Sequence, residues 1–438
     1  MRYRRVPVLF LFLDLLETAM NAKRILTATL LATALAAGGV TLLHSDSAYA
    51  QKKEAAKGPA LSPEMGKPLQ AAQELLKAKK YKEALAEIQK ADAAKADKTP
   101  YEAFVIAQMR AAAYLPQNDA GNAAKALEAM VDTGQLTPEQ TTQQYENLTK
   151  LYYQAQNYGK SIESANKYYN AGGTNQDLRV LIAQAYFLQN DFGNAAKSMR
   201  AIVQAAEKAG RAPTEEQLQL LYTAEERMKN NAGVREAVEK LVQYYPSKDY
   251  WGNLLNTVMK GQAFSDRLEL DMFRLMYNAG VLSTSADYVN MAQLSLQALL
   301  PAEAKTVIEK GMQAGILGQG AEADRHRRLL DKATKDAQAD AAGLAQLEKE
   351  AEAAGTGPAL VRLGEALASH GQYDKAISAM QRGIQKGGLK FPEDSKLRLG
   401  VVMLQAGKRA DAEKVLKSVK GADGTAELAR LWLLTKKA

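Results

Sequence analysis

Apolar positions recur along this chain at three- and four-residue spacing, the period of helices that bury one stripe. Tyr81, Ala84, Ile88 and Ala91 show it in one short stretch. A longer period is superimposed between Gln143 and Ala205. There Tyr145, Leu148, Tyr152, Tyr158 and Ser161 are answered by Arg179, Ile182, Tyr186, Phe192 and Ala195, each pair 34 residues apart. A repeat of that length is one helix–turn–helix unit, which buries its faces only against its neighbours in a stack.

Taken in order, the spacing predicts paired helices over 69–79 and 81–91, and over 101–114 and 120–130. Two further pairs end near Gly210. Thr214 then opens a helix whose partner, 235–245, is closed by Pro246. From 249 to 319 the pattern weakens into divergent repeats. Tyr250-Trp251 open one helix with a partner over 267–279, and Pro301 marks the turn between 288–300 and 302–314. The charged, Ala-rich stretch 321–353 reads as a helix pair broken near Gly343 or an elongated hairpin. Repeats resume over 360–384 and 397–419, and 426–437 is expected to cap the last hydrophobic face. Small residues at Ala84, Ala123, Ser161, Ala195 and Ala237 step by 39, 38, 34 and 42, so most turns carry insertions.

The segment Tyr81-x-x-Ala84-x-x-x-Ile88-x-x-Ala91 resembles the second-helix signature of the tetratricopeptide repeat. The fullest match is Leu360-x-x-Leu363-Gly364-x-x-Leu367 followed by Gly371-Gln372-Tyr373-Asp374-Lys375-Ala376-Ile377. Small residues such as Gly364 and Ala376 let two helices approach, while Leu363, Leu367 and Tyr373 fill the space between repeats. The resemblance covers about half of the chain beyond residue 50. It implies an all-α, TPR-like right-handed superhelical solenoid of roughly nine or ten helix pairs. In that family the first helix of each pair lines a concave groove that takes extended or helical peptides. Carried onto the two clearest repeats, the groove-facing positions are Glu146, Lys150 and Tyr153, then Val180, Gln184 and Phe187.

Composition agrees with a folded helical chain: 438 residues, 47% hydrophobic and 24% charged, with only 12 Pro and 7% aromatics. The N-terminus carries an address. Lys23 and Arg24 precede an apolar run over 25–43, and Ala48-Tyr49-Ala50 is a small-x-small cleavage site before the polar Gln51-Lys52-Lys53-Glu54. We expect cleavage after Ala50 and release to a periplasm; secretion or an uncleaved N-terminal anchor are the alternatives. Met20 begins a complete signal by itself, which makes it a candidate start. The absence of Cys leaves no disulfide framework and no lipid-bearing cysteine after the signal. Losing residues 1–50 removes five Lys/Arg and three Asp/Glu from a chain of net charge +8, leaving +6, too mild for a nucleic-acid footprint. The expected organisation is therefore 1–50 signal, 51–67 mobile polar linker, 68–246 N-terminal repeats, 247–353 divergent repeats, and 354–438 C-terminal repeats with their cap.

Chemistry is sparse. Gly159-Lys160-Ser161 has the tail of a phosphate-binding loop, but Gln154 stands where that loop needs Gly and no strand precedes it. His326, in the charged run Asp324-Arg325-His326-Arg327-Arg328, and His370, before Gly371, read as surface or turn residues with no second ligand nearby, so no metal or other cofactor is expected. Glu365 reads as a solvated groove or surface carboxylate, not the buried acid of a lysozyme-like domain, for which the repeats leave no room. The Tyr doublets 152–153, 168–169 and 244–245 divide between packing and a peptide groove. The expected role is a non-enzymatic scaffold for an envelope protein or peptide. The alternatives are an enzyme acting on peptidoglycan or polysaccharide with the repeats as substrate guide, and a glycan-binding protein.

Overall fold

In a computed structural model the described residues are 61–261, 264–354 and 356–435. The expected signal, residues 1–50, and most of the expected linker lie outside them. The described residues form twenty α-helices and no strand.

Fourteen of these helices make seven pairs. They are α1 (Pro63–Lys77) with α2 (Tyr81–Ala93), α3 (Pro100–Tyr114) with α4 (Ala120–Asp132), α5 (Pro138–Gln154) with α6 (Tyr158–Asn170), and α7 (Asp177–Leu188) with α8 (Phe192–Lys208). The helices α9 (Glu215–Arg227), α10 (Asn231–Tyr244), α11 (Lys248–Gly261) and α12 (Glu269–Asn278) follow before α13 (Ser285–Gln297) with α14 (Pro301–Gln313). A long helix α15 (Ala323–Ala353) precedes α16 (Gly357–Ser369) with α17 (Tyr373–Lys386) and α18 (Pro392–Gln405) with α19 (Arg409–Ser418). The short α20 (Thr425–Trp432) comes last.

One turn is used in all seven pairs and again between α9 and α10. The residue two before the second helix is left-handed: Lys79, Asn118, Gln156, Asn190, Lys229, Leu299, Gly371 and Gly407 have φ between 56° and 75°. The next amide reaches back five residues to a carbonyl of the first helix, as in Asn157 to Tyr152 (2.8 Å), Asp191 to Tyr186 (2.9 Å) and Gln372 to Leu367 (2.9 Å). This satisfies carbonyls that the first helix leaves open at its end. In three pairs the same residue then caps the second helix, Asp119, Asn157 and Asp191 accepting from the amides of Asn122, Lys160 and Asn194. Four first helices begin on a threonine, Thr99, Thr137, Thr214 and Thr284, with the reciprocal bond supplied by Glu102, Gln140, Gln217 and Asp287.

The small-residue register follows from that turn. Three residues into the second helix, Ala84, Ala123, Ser161, Ala195, Ala304, Ala376 and Ala412 are fully buried. Ser161 keeps its hydroxyl satisfied by donating to the Thr149 carbonyl across the pair (2.8 Å). In α10 the corresponding residue is Val234, whose amide bonds Asn230, and not Ala237 one turn later, so that step is 39 and not 42. Close approach is most evident between α16 and α17. A Cβ on Gly364 would lie 2.3 Å from Met380 Cγ and 2.9 Å from the Ala376 carbonyl, as the tetratricopeptide resemblance implies.

Two expectations are corrected. The stretch 321–353 is neither a hairpin nor a broken pair but one 31-residue helix after a single 3-10 turn. Gly343 costs a helix only about 1 kcal/mol, and the Ala, Leu, Glu and Lys around it are strong helix formers. The linker boundary at 67 is also too late. Pro63 occupies the first turn of α1, where a missing N–H costs nothing, and Met65 and Leu69 bury against the first pair.

The described residues divide into two compact units, described separately here: 61–234 and 235–435. In the N-terminal unit first helices touch one another directly, α1 with α3, α5 with α7 and α7 with α9, whereas second helices of successive repeats meet less extensively among the described residues.

The C-terminal unit departs from a linear stack. Helix α20 covers α18 and α19 as a cap should, with Leu428, Leu431 and Trp432 buried, but it also packs on α12. Arg430 binds Glu239 through two bonds of 2.6 and 2.8 Å, and Arg235 reaches Glu427 at 2.6 Å, across 191 and 192 residues. Arg267 grips Asp394 at 2.8 and 3.1 Å and also bonds Asp423. The unit is closed on itself.

Candidate functional site

The six groove positions fall on the neighbouring first helices α5 and α7. Glu146 accepts from Lys150 Nζ at 2.5 Å and from Asn175 Nδ2 at 2.9 Å, so its carboxylate ties α5 to the loop before α7. The Tyr153 hydroxyl donates to Gln184 Oε1 at 3.4 Å, and its ring meets Tyr158 edge to face at 5.5 Å. Burial pushes the Tyr153 hydroxyl well above the ordinary phenol range, so it stays a donor at neutral pH. Val180 is half-buried. Arg179 beside it stacks on Tyr169 at 4.4 Å. Phe187 differs from the expectation: it is 5% exposed and packs edge to face against Phe192, the first residue of α8. Its ring fills the space inside its own pair and offers no surface to a partner.

Lys160 lies in the first turn of α6, away from any strand. It contacts Glu128 at 2.7 Å, and the same carboxylate accepts from Tyr152 at 2.6 Å. Burial and Glu128 push the Tyr152 hydroxyl up to about 12. These three residues tie α4, α5 and α6 together.

In the C-terminal unit the histidines are less exposed than expected. His326 is buried, its Nδ1 accepting from the Gly318 amide (3.2 Å) and its Nε2 lying 3.0 Å from Ser285 Oγ. An amide can only donate, so the ring is the neutral tautomer with its hydrogen on Nε2. The charged run around it is the solvated side of α15; His326 falls on the apolar stripe with Ala333 and Ala337. His370 is paired with Asp340 at 2.8 Å.

Glu365 belongs to a larger arrangement. A cavity of about 230 Å³ opens between α12, α13, α14, α16, α17, α18 and α20 and is lined by five charged side chains. Arg274 clasps Glu303 through two bonds (2.7 and 2.8 Å) and bonds Asp271 at 3.0 Å. Arg398 holds Asp271 from the other side, at 3.0 to 3.2 Å, and reaches Glu365 Oε1 at 3.1 Å. Burial works against both guanidinium charges, but the surrounding carboxylates outweigh it and raise both pKa values. Tyr277, Tyr373 and Trp432 supply aromatic wall. Sequence reading missed this constellation because its members come from four helices up to 127 residues apart. One signal was available: Arg274 interrupts Met272-Phe273-Arg274-Leu275-Met276, and Arg398 interrupts Leu397-Arg398-Leu399. A charge inside an apolar run needs a buried partner.

No protein-family profile matches the chain, and no curated protein does. Solved structures do. The chain is similar to Naa15/Naa10 bound to HypK-THB, at 12% identity and a TM-score of 0.31, over 81% of this chain and 62% of that one. It is also similar to the TPR2AB domain of yeast Sti1 in its pHSP90 complex, at 12% identity and 0.23, over 68% and 99%. Against the pentatricopeptide repeat protein PPR10 from maize the values are 17% and 0.29, over 83% and 50%. The chain thus spans less than two thirds of the Naa15/Naa10 chain and half of PPR10. None of these superimposes closely.

Proposed function

We propose that the protein is a non-enzymatic scaffold of the bacterial envelope, exported by residues 1–50, that holds a polypeptide partner along the first helices of its N-terminal unit. The observation that carries this reading is the row of half-buried polar and aromatic side chains on α5 and α7. Glu146, Lys150, Tyr153 and Gln184 are held in place by one another and by Asn175. Side chains already ordered lose little freedom on binding, which favours recognition over mere solubility. Direct contact between α5 and α7 makes the row continuous from one repeat to the next.

The test is a cross-linking pull-down from intact periplasm with the chain from Gln51 tagged at its C-terminus, wild type beside Lys150→Glu/Tyr153→Ala. One enriched envelope protein, lost in the double variant while the helical circular dichroism is unchanged, supports the reading. An equal yield from both proteins refutes the proposed surface. Recovery of glycan in place of protein moves the function to the polysaccharide class.

A further inference from the structure

We propose that the cavity of the C-terminal unit binds a small organic cation, an ammonium or guanidinium group. The inference is independent of the partner surface on α5 and α7.

The charges around the cavity do not balance. Two guanidiniums face three carboxylates, leaving one negative charge in excess. Both Asp271 oxygens accept from the arginines, as do both Glu303 oxygens, whereas Glu365 uses only Oε1. Its second oxygen, Oε2, has no donor among the described residues. The vacant acceptor and the excess charge therefore fall on one residue, and an incoming cation would satisfy both. Tyr277 and Tyr373 line the same space, and phenol rings hold cations by their faces.

Trp432, 3% exposed, completes the aromatic wall. The volume limits the size. Against about 30 Å³ for a water in the liquid, the cavity has room for a small molecule or one long side chain, not a folded segment. Buried ion pairs are often replaceable by well-packed apolar residues, so stability alone is a weak reason for the network. Here the charges surround a void.

Two sources carry this chemistry: a free basic metabolite, and the Lys or Arg side chain of a polypeptide. The experiment titrates the purified protein carrying Trp251→Phe, which leaves Trp432 as the only indole. The probes are agmatine, L-arginine and an end-capped lysine tripeptide, with sodium sulfate as the anion control. Trp432 emission and calorimetry are the readouts. The expected result is saturable binding of at least one cation, weakened about tenfold or more by Glu365→Gln at an unchanged melting temperature. Tighter binding of the free compounds assigns a metabolite; tighter binding of the tripeptide assigns a partner's side chain. Should Glu365→Gln fail to fold, Tyr373→Leu provides the second variant and should weaken the same cation severalfold. The proposal is overturned if no cation binds at millimolar concentration, if sulfate binds in their place, or if affinity survives substitution of Glu365 in a folded protein.

Discussion

Leu299 has φ 63° and is 55% exposed, so it carries the strain of the repeat turn without the return of burial. A left-handed residue with a β-carbon is disfavoured by about 1–2 kcal/mol, which Gly avoids at some cost in unfolded-chain entropy. Leu299→Gly should therefore stabilise the protein by about 0.5–1 kcal/mol, seen as a higher denaturant midpoint at unchanged slope. A lower midpoint would show that Leu299 contributes packing the geometry does not reveal. Residue-scale misreadings of the sequence share a cause. Ala237 and Val234 are three apart and so lie near one face, and only the turn hydrogen bonds distinguish them. His326 lies in a run of charges, yet helical spacing sends it to the opposite side from its neighbours.

At the scale of the element, glycine means different things in different helices. Gly343 lies in α15 with nothing within 4 Å of where a Cβ would stand, so Gly343→Ala should add about 1 kcal/mol. At Gly357 a Cβ would lie 2.0 Å from the Gly383 carbonyl and 2.6 Å from that of Gly387, both backbone. Gly357→Ala should therefore separate α16 from α17 and cost about 1–3 kcal/mol or more. Thermal unfolding of the two variants side by side decides it, and equal shifts would refute the argument. Helix positions were legible because the apolar period and the Pro, Thr and Gly punctuation agree. The continuity of α15 was not, because a lone glycine in a polar, Ala-rich run is a weak signal either way.

For the C-terminal unit as a whole, closure depends on ionised carboxylates. Arg267 holds Asp423 down to about 2, from 3.8. Burial opposes the charge of Glu427, but Arg430 and Arg235 outweigh it and keep its pKa below 4.5. Both folded values are depressed, so the stabilisation is complete above the unfolded values and is lost as pH falls through the folded ones. The melting temperature should be flat above about pH 5 and fall between about pH 4.5 and 2. In Arg267→Met/Arg430→Met that slope should flatten, and an identical slope would mean that other carboxylates govern acid unfolding. This level of organisation was the least legible in the sequence. Repeats announce neighbours 34 residues away, whereas Glu239 and Arg430 carry no local sign that they meet.

That meeting also bears on how the chain acquires its structure. A linear array can zip from any nucleus, because each repeat needs only the next. Contacts spanning 127 to 192 residues give the C-terminal unit a high contact order, which slows folding because the loop must close before the contacts repay it. Two of its closing contacts, Arg430 with Glu239 and Arg235 with Glu427, use residues of α20, so these form only after that helix has been synthesised. Until then Glu239 and Arg235 wait without their partners on α20, and α12 lacks the helix that packs on it. A chain shortened before Thr425 would lose the contacts of Glu239, Arg235 and α12 with α20, and keep only the closing bonds made by Arg267 and Arg398.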